Sequence, residues 1–503
     1  MTAKRFLALD AGSSGVRCVL LDGRGRVLAA ATRPWSYRVP EAVPLGREFD
    51  PEEFWSLAAS AVRQALGEGG VAGGQVAALA VTGQRLGVVF LDQQGREVYA
   101  GPNRDVRALA EGLALEARFG DRLYASTGRW PFFLLAPARL RWLAQHRPAD
   151  FERVAAVLPL PDWLAFRLTG RPVAERSLAV EAGIVDITSG RPDFPLLREL
   201  GVAERVVPQL VSAGERLGEV TSAAAAQTGL APGTPVFAGG PDTQAGLLAL
   251  GAVETGQAGV LAGWSCPLQV VVDKPVLDSE KRTWTGLHVL PGRWVVESQV
   301  GESGGVWRWW LDMLVGEGEA AYATAETLVG AAPVGSANVV AHLGVAPLTA
   351  SRLGAGLGGL FFPVPVAVAC VDRAALLRAC LESTAYAARA GLETAQEVAG
   401  RQAASVALGG GMSRSATFCA ILADVLNRPI AVAKDPLVSA RGAAVLAAAG
   451  SGAFDGLEAA RAALAPALRL VEPDVSRAAE YEGYYRRWRK ARALFERAAG
   501  ELS

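Results

Sequence analysis

Histidine, cysteine and lysine are scarce in this chain of 503 residues. Its three histidines, at 146, 288 and 342, lie far apart and neither CxxC nor HExxH occurs, which argues against a transition-metal site. Five cysteines, at 18, 266, 370, 380 and 419, form no close pairs. Their odd count suits a reduced intracellular protein rather than a disulfide framework. An excess of one charge is also missing, since 50 basic residues balance 50 acidic ones. No field therefore invites nucleic acid or an anionic membrane. Only five of the 50 basic residues are lysine, a bias that codon usage explains and from which no function follows. The longest apolar stretch, LFFPVPVAVACV at 360–371, is too short to cross a bilayer and contains two prolines. The first apolar run stops at Asp10, short of a signal-peptide core. A cytoplasmic globule is expected, long enough for two or more domains. GxxxxGK[ST], a GxGxxG opening a βαβ unit, HRD and DFG are absent as well, which excludes a P-loop enzyme and a protein kinase.

What is present is an α/β pattern that starts twice. RFLALDAGSSGVRCVLLDGRGRVLAAATR reads as a three-stranded meander around an Ala11–Gly15 turn. A helix follows from Pro51 to Leu66 with Asp50 as its N-cap. VAALAVTGQ is a buried strand, GVVFLDQQGREVYAGPN a hairpin, and strands alternate with helices to about residue 240. The second half repeats the opening, with GQAGVLAGWSCPLQVVVD (256–273) as strand, small-residue turn and strand. GRWVVESQV (292–300) adds a strand before GESGG, Leu377–Val398 a helix with one apolar face, and SVALGGG (405–411) a strand leading into a helix over Thr417–Leu426. An old duplication is inferred, with domains at 1–245 and 246–503.

Three turns could carry chemistry. DAGSSG (10–15) brings backbone N–H groups and hydroxyls beside a carboxylate, as a nucleotide with Mg²⁺ requires, although the same residues also make an ordinary hairpin turn. AGWSC (262–266) is a second such turn. ALGGGMSRS (407–415) places three glycines between a strand and a helix, where a flat ligand can lie against backbone. In VFAGGPDTQAGLLALG (236–251), Asp242 stands at a helix start, so local sequence by itself favours a structural cap over a proton acceptor.

LDAGSSGVRCVLLD (9–22), TGQRLGVVFLD (82–92), NRDVRA (103–108), LPDWLAFRLTG (160–170), GGPDTQAG (239–246) and ALGGGMSRSATFCAILADVLNRPI (407–430) occur in the order and spacing of the FGGY carbohydrate kinases. The resemblance runs from Leu7 to about Phe454 and is nearest to the autoinducer-2 kinase and xylulokinase branches. It implies two actin-like (ribonuclease H-like) α/β domains with a cleft between them. ATP and Mg²⁺ are the implied cofactors, and a small linear or keto sugar the implied partner. By the resemblance, Asp242 is the general base, a role suited to a carboxylate that accepts a hydroxyl proton as phosphorus is attacked. Asp10 lies on the Mg²⁺ side, and Gly12, Ser13, Ser14 and Gly15 hold the β- and γ-phosphates. Gly263 and Ser265 reach those phosphates from the other domain, and Gly409, Gly410, Gly411 and Ser413 meet the adenosine. Gln84, Arg85, Asn103 and Asp105 bond the sugar hydroxyls, with Arg107 equally able to brace Asp105.

Away from these positions, Asp162 is expected to cap its helix, and Trp307, Trp309 and Trp310 to pack as core or cleft wall. Two positions depart from the family pattern. Trp264 replaces a Thr in the second phosphate loop, and Leu86 replaces the Glu or His that would contact sugar. A Gly-Glu-Arg-type loop is not recognisable in 343–359. These departures favour the alternative, a non-catalytic sugar or nucleotide sensor; retention of Asp10, Asp242 and the triple glycine opposes it. The aromatic face of 481–503 is expected to pack on its own domain, with a homodimer as the other use for it.

Overall fold

Strands form where β-branched and apolar residues alternate with Gly-rich turns, and in both halves they assemble in the same order. A computed structural model describes residues 4–344, 357–365 and 371–502; Cys370 and most of the 343–359 loop lie outside them. In the first half, Arg5–Ala11, Gly15–Asp22 and Val27–Pro34 form an antiparallel meander. Val76–Gly83 joins Arg5–Ala11 in parallel, Pro235–Pro241 joins Val76–Gly83 in parallel, and Arg216–Glu219 closes the edge antiparallel.

The second sheet repeats this plan. Gln257–Leu261, Pro267–Val272 and Trp294–Gln299 are the meander, while Ser405–Gly409 and Ile430–Ala433 are parallel additions. Leu468–Val471 forms one antiparallel edge and Trp284–Leu287 the other. One strand topology is thus used twice along the chain.

Local signals account for the flanking helices. Pro51–Glu68 begins after Asp50, whose carboxylate accepts the Glu52 and Glu53 N–H groups at 3.0 Å. Arg373–Ala399 begins after Asp372, and Ala416–Leu426 after Ser415, each capped by its side chain. The C-terminal helix Val475–Leu502 lays Tyr481, Tyr485 and Trp488 on its own half, where their polar atoms meet Glu382, Glu393 and the Ala341 carbonyl.

Two expectations fail for identifiable reasons. Asp162 does not cap its helix. The helix Leu160–Thr169 starts two residues earlier, with Pro at the first turn, so the Asp162 carboxylate turns aside to accept the Glu175 N–H at 2.9 Å. Trp307 and Trp310 are buried, but Trp309 is 51% exposed because it falls on the outer face of the helix Gly304–Leu314.

Two helices wedge between the sheets. Asp242–Leu250 gives Leu248 to the first sheet's core, and Leu247, Ala249 and Leu250 to the second's. Val438–Gly450 gives Ala440, Ala443, Ala444 and Leu446 to the first core, and Val438 to the second. The helices meet backbone to backbone, since a Cβ on Gly442 would lie 1.8 Å from the Ala245 carbonyl oxygen. The segment around Trp284 also crosses, with Trp284 Nε1 donating to the Trp130 carbonyl and Tyr124 donating to the Thr283 carbonyl.

Gly442→Val is expected to force this crossing apart and cost about 3 kcal/mol or more. A thermal melt unchanged from the parent would contradict the contact.

Candidate active site

The parallel strands of the first sheet end together, and their ends carry the acidic residues. Asp10 lies at the end of Arg5–Ala11, in register with Thr82, and Asp242 follows the end of Pro235–Pro241. Thr82 Oγ1 donates to the Gly240 carbonyl at 2.7 Å, fixing the turn that delivers Asp242. Asp242 opens its helix without capping it: among the described residues, Oδ1 accepts just the adjacent Thr243 N–H, at 2.8 Å.

Burial pushes the Asp242 pKa up to about 7, reinforced by the neighbouring Asp10 carboxylate and opposed by Arg85. Burial also raises Asp10, with Arg17 opposing. Asp10 Oδ1 is buried with no hydrogen-bond partner. One free carboxylate oxygen beside a small-residue turn fits Mg²⁺ shared with phosphate oxygens. Among the described residues no group of three or more His, Cys, Asp or Glu converges, so protein side chains alone do not form a metal cage.

The Gly12–Gly15 turn is braced from below. Gly12 N–H donates to the Gly15 carbonyl at 3.0 Å, Trp35 Nε1 to the Gly12 carbonyl at 3.1 Å and Tyr37 to the Ser13 carbonyl at 2.5 Å. Ser14 stays exposed. Asn103 Nδ2 donates to Ser13 Oγ at 3.0 Å, and the Asn103 N–H donates to Gln84 Oε1 at 3.1 Å. Gln84 Nε2 and Asn103 Oδ1 remain buried and unpartnered, one donor and one acceptor beside the same turn. Gln84, Asn103, Ser13, Asp10 and Asp242 are therefore neighbours.

The Asp105 carboxylate, expected to meet the sugar, is turned to other partners. Fully buried, it accepts from Tyr99, the Arg47 N–H and Arg107 Nε, which braces the loop that presents Asn103. Leu86 is buried at a positive φ of 66° and packs into an apolar cluster with Val88, Phe90, Tyr99 and Trp130.

The second half supplies the opposite wall. The Ala262 N–H donates to the Gly409 carbonyl at 2.9 Å and the Met412 N–H to the Ala262 carbonyl at 3.0 Å, so the Gly263–Ser265 turn and the Gly409–Gly411 run form one surface. The Gly263 N–H closes its own turn on Ser265, whose side is exposed, and Ser413 Oγ donates to the Gly410 carbonyl at 2.8 Å. Gly411 has open space where a side chain would stand.

A buried polar cluster between the halves was not foreseen. Arg85 donates to both Glu297 oxygens, at 2.5 and 2.7 Å, and lies 3.8 Å from Glu181. Glu181 accepts from Arg129 and Gln244, while Gln269 donates to Glu297. Burial works against the Glu181 charge, but Arg129 and Arg85 hold its pKa below the ordinary value. The visible signal was polar residues in apolar strands, Gln269 within PLQVVV and Glu297 within WVVESQ. Arg85 is thus committed across the halves, with its charge reaching Asp242.

Two sheets of one topology, enclosing paired carboxylates between facing Gly/Ser turns, define the class: an actin-like α/β kinase with a cleft between its lobes. Residues 5–249 match the N-terminal domain, and 260–451 the C-terminal domain, of the FGGY family of carbohydrate kinases, and the chain belongs to that family. It is 32% identical over 466 residues to an autoinducer-2 kinase of Klebsiella pneumoniae, covering 90% of this chain and 86% of the relative. An Escherichia coli K12 autoinducer-2 kinase is 30% identical over 499 residues, covering 96% and 93%. The fold matches the xylulose kinase of Rhodospirillum rubrum with a TM-score of 0.83 at 28% identity, covering 99% of this chain and all of that one. A Plasmodium falciparum glycerol kinase with ADP has the same fold, with a TM-score of 0.82 at 18% identity and 97% coverage of each chain. The protein is a carbohydrate kinase.

The raised Asp242 pKa makes a stability prediction. Its folded value of about 7 exceeds the ordinary 3.8, so the folded protein holds that proton more tightly. The associated stability is complete below about pH 4 and is lost as pH rises to about 7. Asp242→Asn is therefore expected to melt higher than the parent at pH 8, by on the order of 1–3 kcal/mol, with the gap closing toward pH 4. Equal melting at pH 8 would count against a desolvated carboxylate there.

Proposed function

We propose that the enzyme phosphorylates a hydroxyl of a small linear or keto sugar, a pentulose or an autoinducer-2-like compound, with Asp242 as general base. The observation that carries this is the Asp10–Asp242 pair at the strand ends, with one carboxylate raised to about 7 and the other keeping a buried oxygen free. A carboxylate of that pKa is matched to accepting a hydroxyl proton near neutral pH. The names of the similar kinases reported above support the sugar class. So do the unpartnered Gln84 Nε2 and Asn103 Oδ1, which a polyhydroxylated ligand would satisfy.

In the proposed reaction, Gln84 and Asn103 orient the sugar, and Asp242 removes the hydroxyl proton as the oxygen attacks the terminal phosphorus of ATP. The bond from that phosphorus to the bridging oxygen breaks and ADP departs. Mg²⁺ shared between Asp10 and the phosphates would offset charge on the transferring group. Arg85 counters the Asp10 charge at Asp242, so that the base can ionise. Leu86 gives the sugar side an apolar wall, which disfavours substrates that need a hydrogen bond there. Closure of the lobes would exclude water and suppress ATP hydrolysis. The sensor alternative rests on the departures at Trp264 and Leu86, and it is opposed by the retained Asp10–Asp242 pair, in which one carboxyl is desolvated to a pKa suited to proton acceptance.

Sugar-dependent ADP release across a panel of ketoses, polyols and the autoinducer-2 precursor tests the substrate class, and silence across all of them would refute it. Asp242→Asn is expected to lower kcat about 10²–10⁴-fold while nucleotide still binds; near-parental turnover would remove the base assignment. For the parent, kcat/KM should climb with pH through an apparent pKa near 7, and this limb should vanish from the residual activity of the Asn variant.

A further inference from the structure

Trp264 occupies the middle of the second lobe's Gly/Ser turn, and its ring has a built seat. Its carbonyl accepts the Gly305 N–H at 3.2 Å, and a Cβ on Gly305 would lie 2.8 Å from Trp264 Cε2. Only a glycine at 305 leaves room for the ring to lie against the backbone. The ring is still 43% exposed, and the face available to it is covered from the first lobe: the Arg104 guanidinium carbon lies 4.9 Å from the ring centroid.

Arg104 lies between Asn103, which donates to Ser13 Oγ, and Asp105, which anchors the loop from beneath. Its charge also bears on Tyr37, whose hydroxyl holds the Ser13 carbonyl. Among the described residues no carboxylate pairs with Arg104, whereas nearby Arg85 and Arg107 are each tied to acids. An exposed cation without an acidic partner therefore stands at the cleft mouth. It is oriented by a ring from one lobe and borne on the loop that braces the phosphate turn of the other.

We propose that Arg104 contacts the terminal phosphate of ATP, and that Trp264, seated on Gly305, is the positioning residue that holds the guanidinium there while joining the two lobes. The inference rests on the kinase reading above and adds to it a phosphate-facing cation that the sequence did not single out. A planar guanidinium offers paired donors to phosphate oxygens, and a cation fixed before the reaction stabilises the transferring group without reorganisation. Stacking on a ring leaves those in-plane donors free, because the ring contacts only the face of the guanidinium.

The test is nucleotide titration of the full-length protein with Mg·ATP and with Mg·ADP, without sugar, beside steady-state kinetics with the sugar that gives turnover. Arg104→Ala is expected to weaken ATP about 10-fold or more while changing ADP less than about 2-fold, and to lower kcat about 10–100-fold. Arg104→Lys should recover part of the ATP preference. Trp264→Phe should keep it, and Trp264→Ala should lose it. Gly305→Ala, which alters neither partner, should lose it too by unseating the ring. The Arg104→Ala/Trp264→Ala double variant should be no worse than Arg104→Ala alone.

Equal weakening of ATP and ADP, or additive losses in the double variant, would overturn the proposal. Asp242→Asn separates it from the kinase reading: that variant should lose turnover but keep the ATP-over-ADP preference. If the parent showed no sugar-dependent ADP release at all, the kinase reading would fail first and on its own evidence.

Discussion

The close crossing of two helices between the sheets is the constraint on which the rest of the molecule depends. Asp242–Leu250 and Val438–Gly450 each serve both cores, and they touch where Gly442 has no side chain to hold them off Ala245. Because both helices are shared, the sheets cannot drift apart without exposing apolar surface on each side. Asp242 stands at the first turn of one of these helices. Its position is therefore set by both lobes at once, as is appropriate for a group proposed to act on a sugar from one lobe and a nucleotide held by both.

That placement has an electrostatic consequence. Two carboxylates near each other in a dry crevice disfavour double ionisation: burial raises both, and the Asp10 charge adds to the rise that takes Asp242 to about 7. The polar cluster around Arg85 moderates this. Its guanidinium is locked to Glu297 of the second half, approaches Glu181, and still lowers the Asp242 pKa. The cluster thus joins the halves and tunes the proposed base, and every charge in it is paired, as buried charge requires. At the cleft mouth the opposite holds. Arg104 stacks on Trp264 and, among the described residues, meets no acid.

Much of this was legible because it rests on local rules. The meander, the Asp50 cap, the Gly-rich turns and the repeated opening follow from alternation, cap chemistry and backbone freedom, which act within a few residues. The failures share a cause. Asp162 has the composition of a cap, yet its hydrogen bond goes to Glu175, thirteen positions away in sequence. Asp105 has the character of a sugar ligand, but Tyr99, Arg107 and the Arg47 backbone converge on it. The strand polar residues Gln269 and Glu297 were conspicuous, but Gln269 donates to Glu297, and the cation that Glu297 meets, Arg85, lies on a loop 212 positions earlier. Nothing short-range reveals such a pairing.

The amino-acid order by itself determined the two α/β halves, the Gly/Ser turns at strand ends and which acids begin or end elements, because these depend on neighbours along the chain. It also carried enough ordered motifs to identify a carbohydrate kinase. Only the tertiary structure decided which acids remain free: Asp10 keeps an open oxygen and Asp242 is desolvated, while Asp105 and Asp162 are consumed by distant donors. The same holds for Trp264, which in the sequence is merely a departure from a phosphate-binding Thr. Folded, it is seated on Gly305 beneath Arg104. A side chain's chemistry depends on burial and on partners met in space, and those are fixed only when the two sheets close around their shared helices.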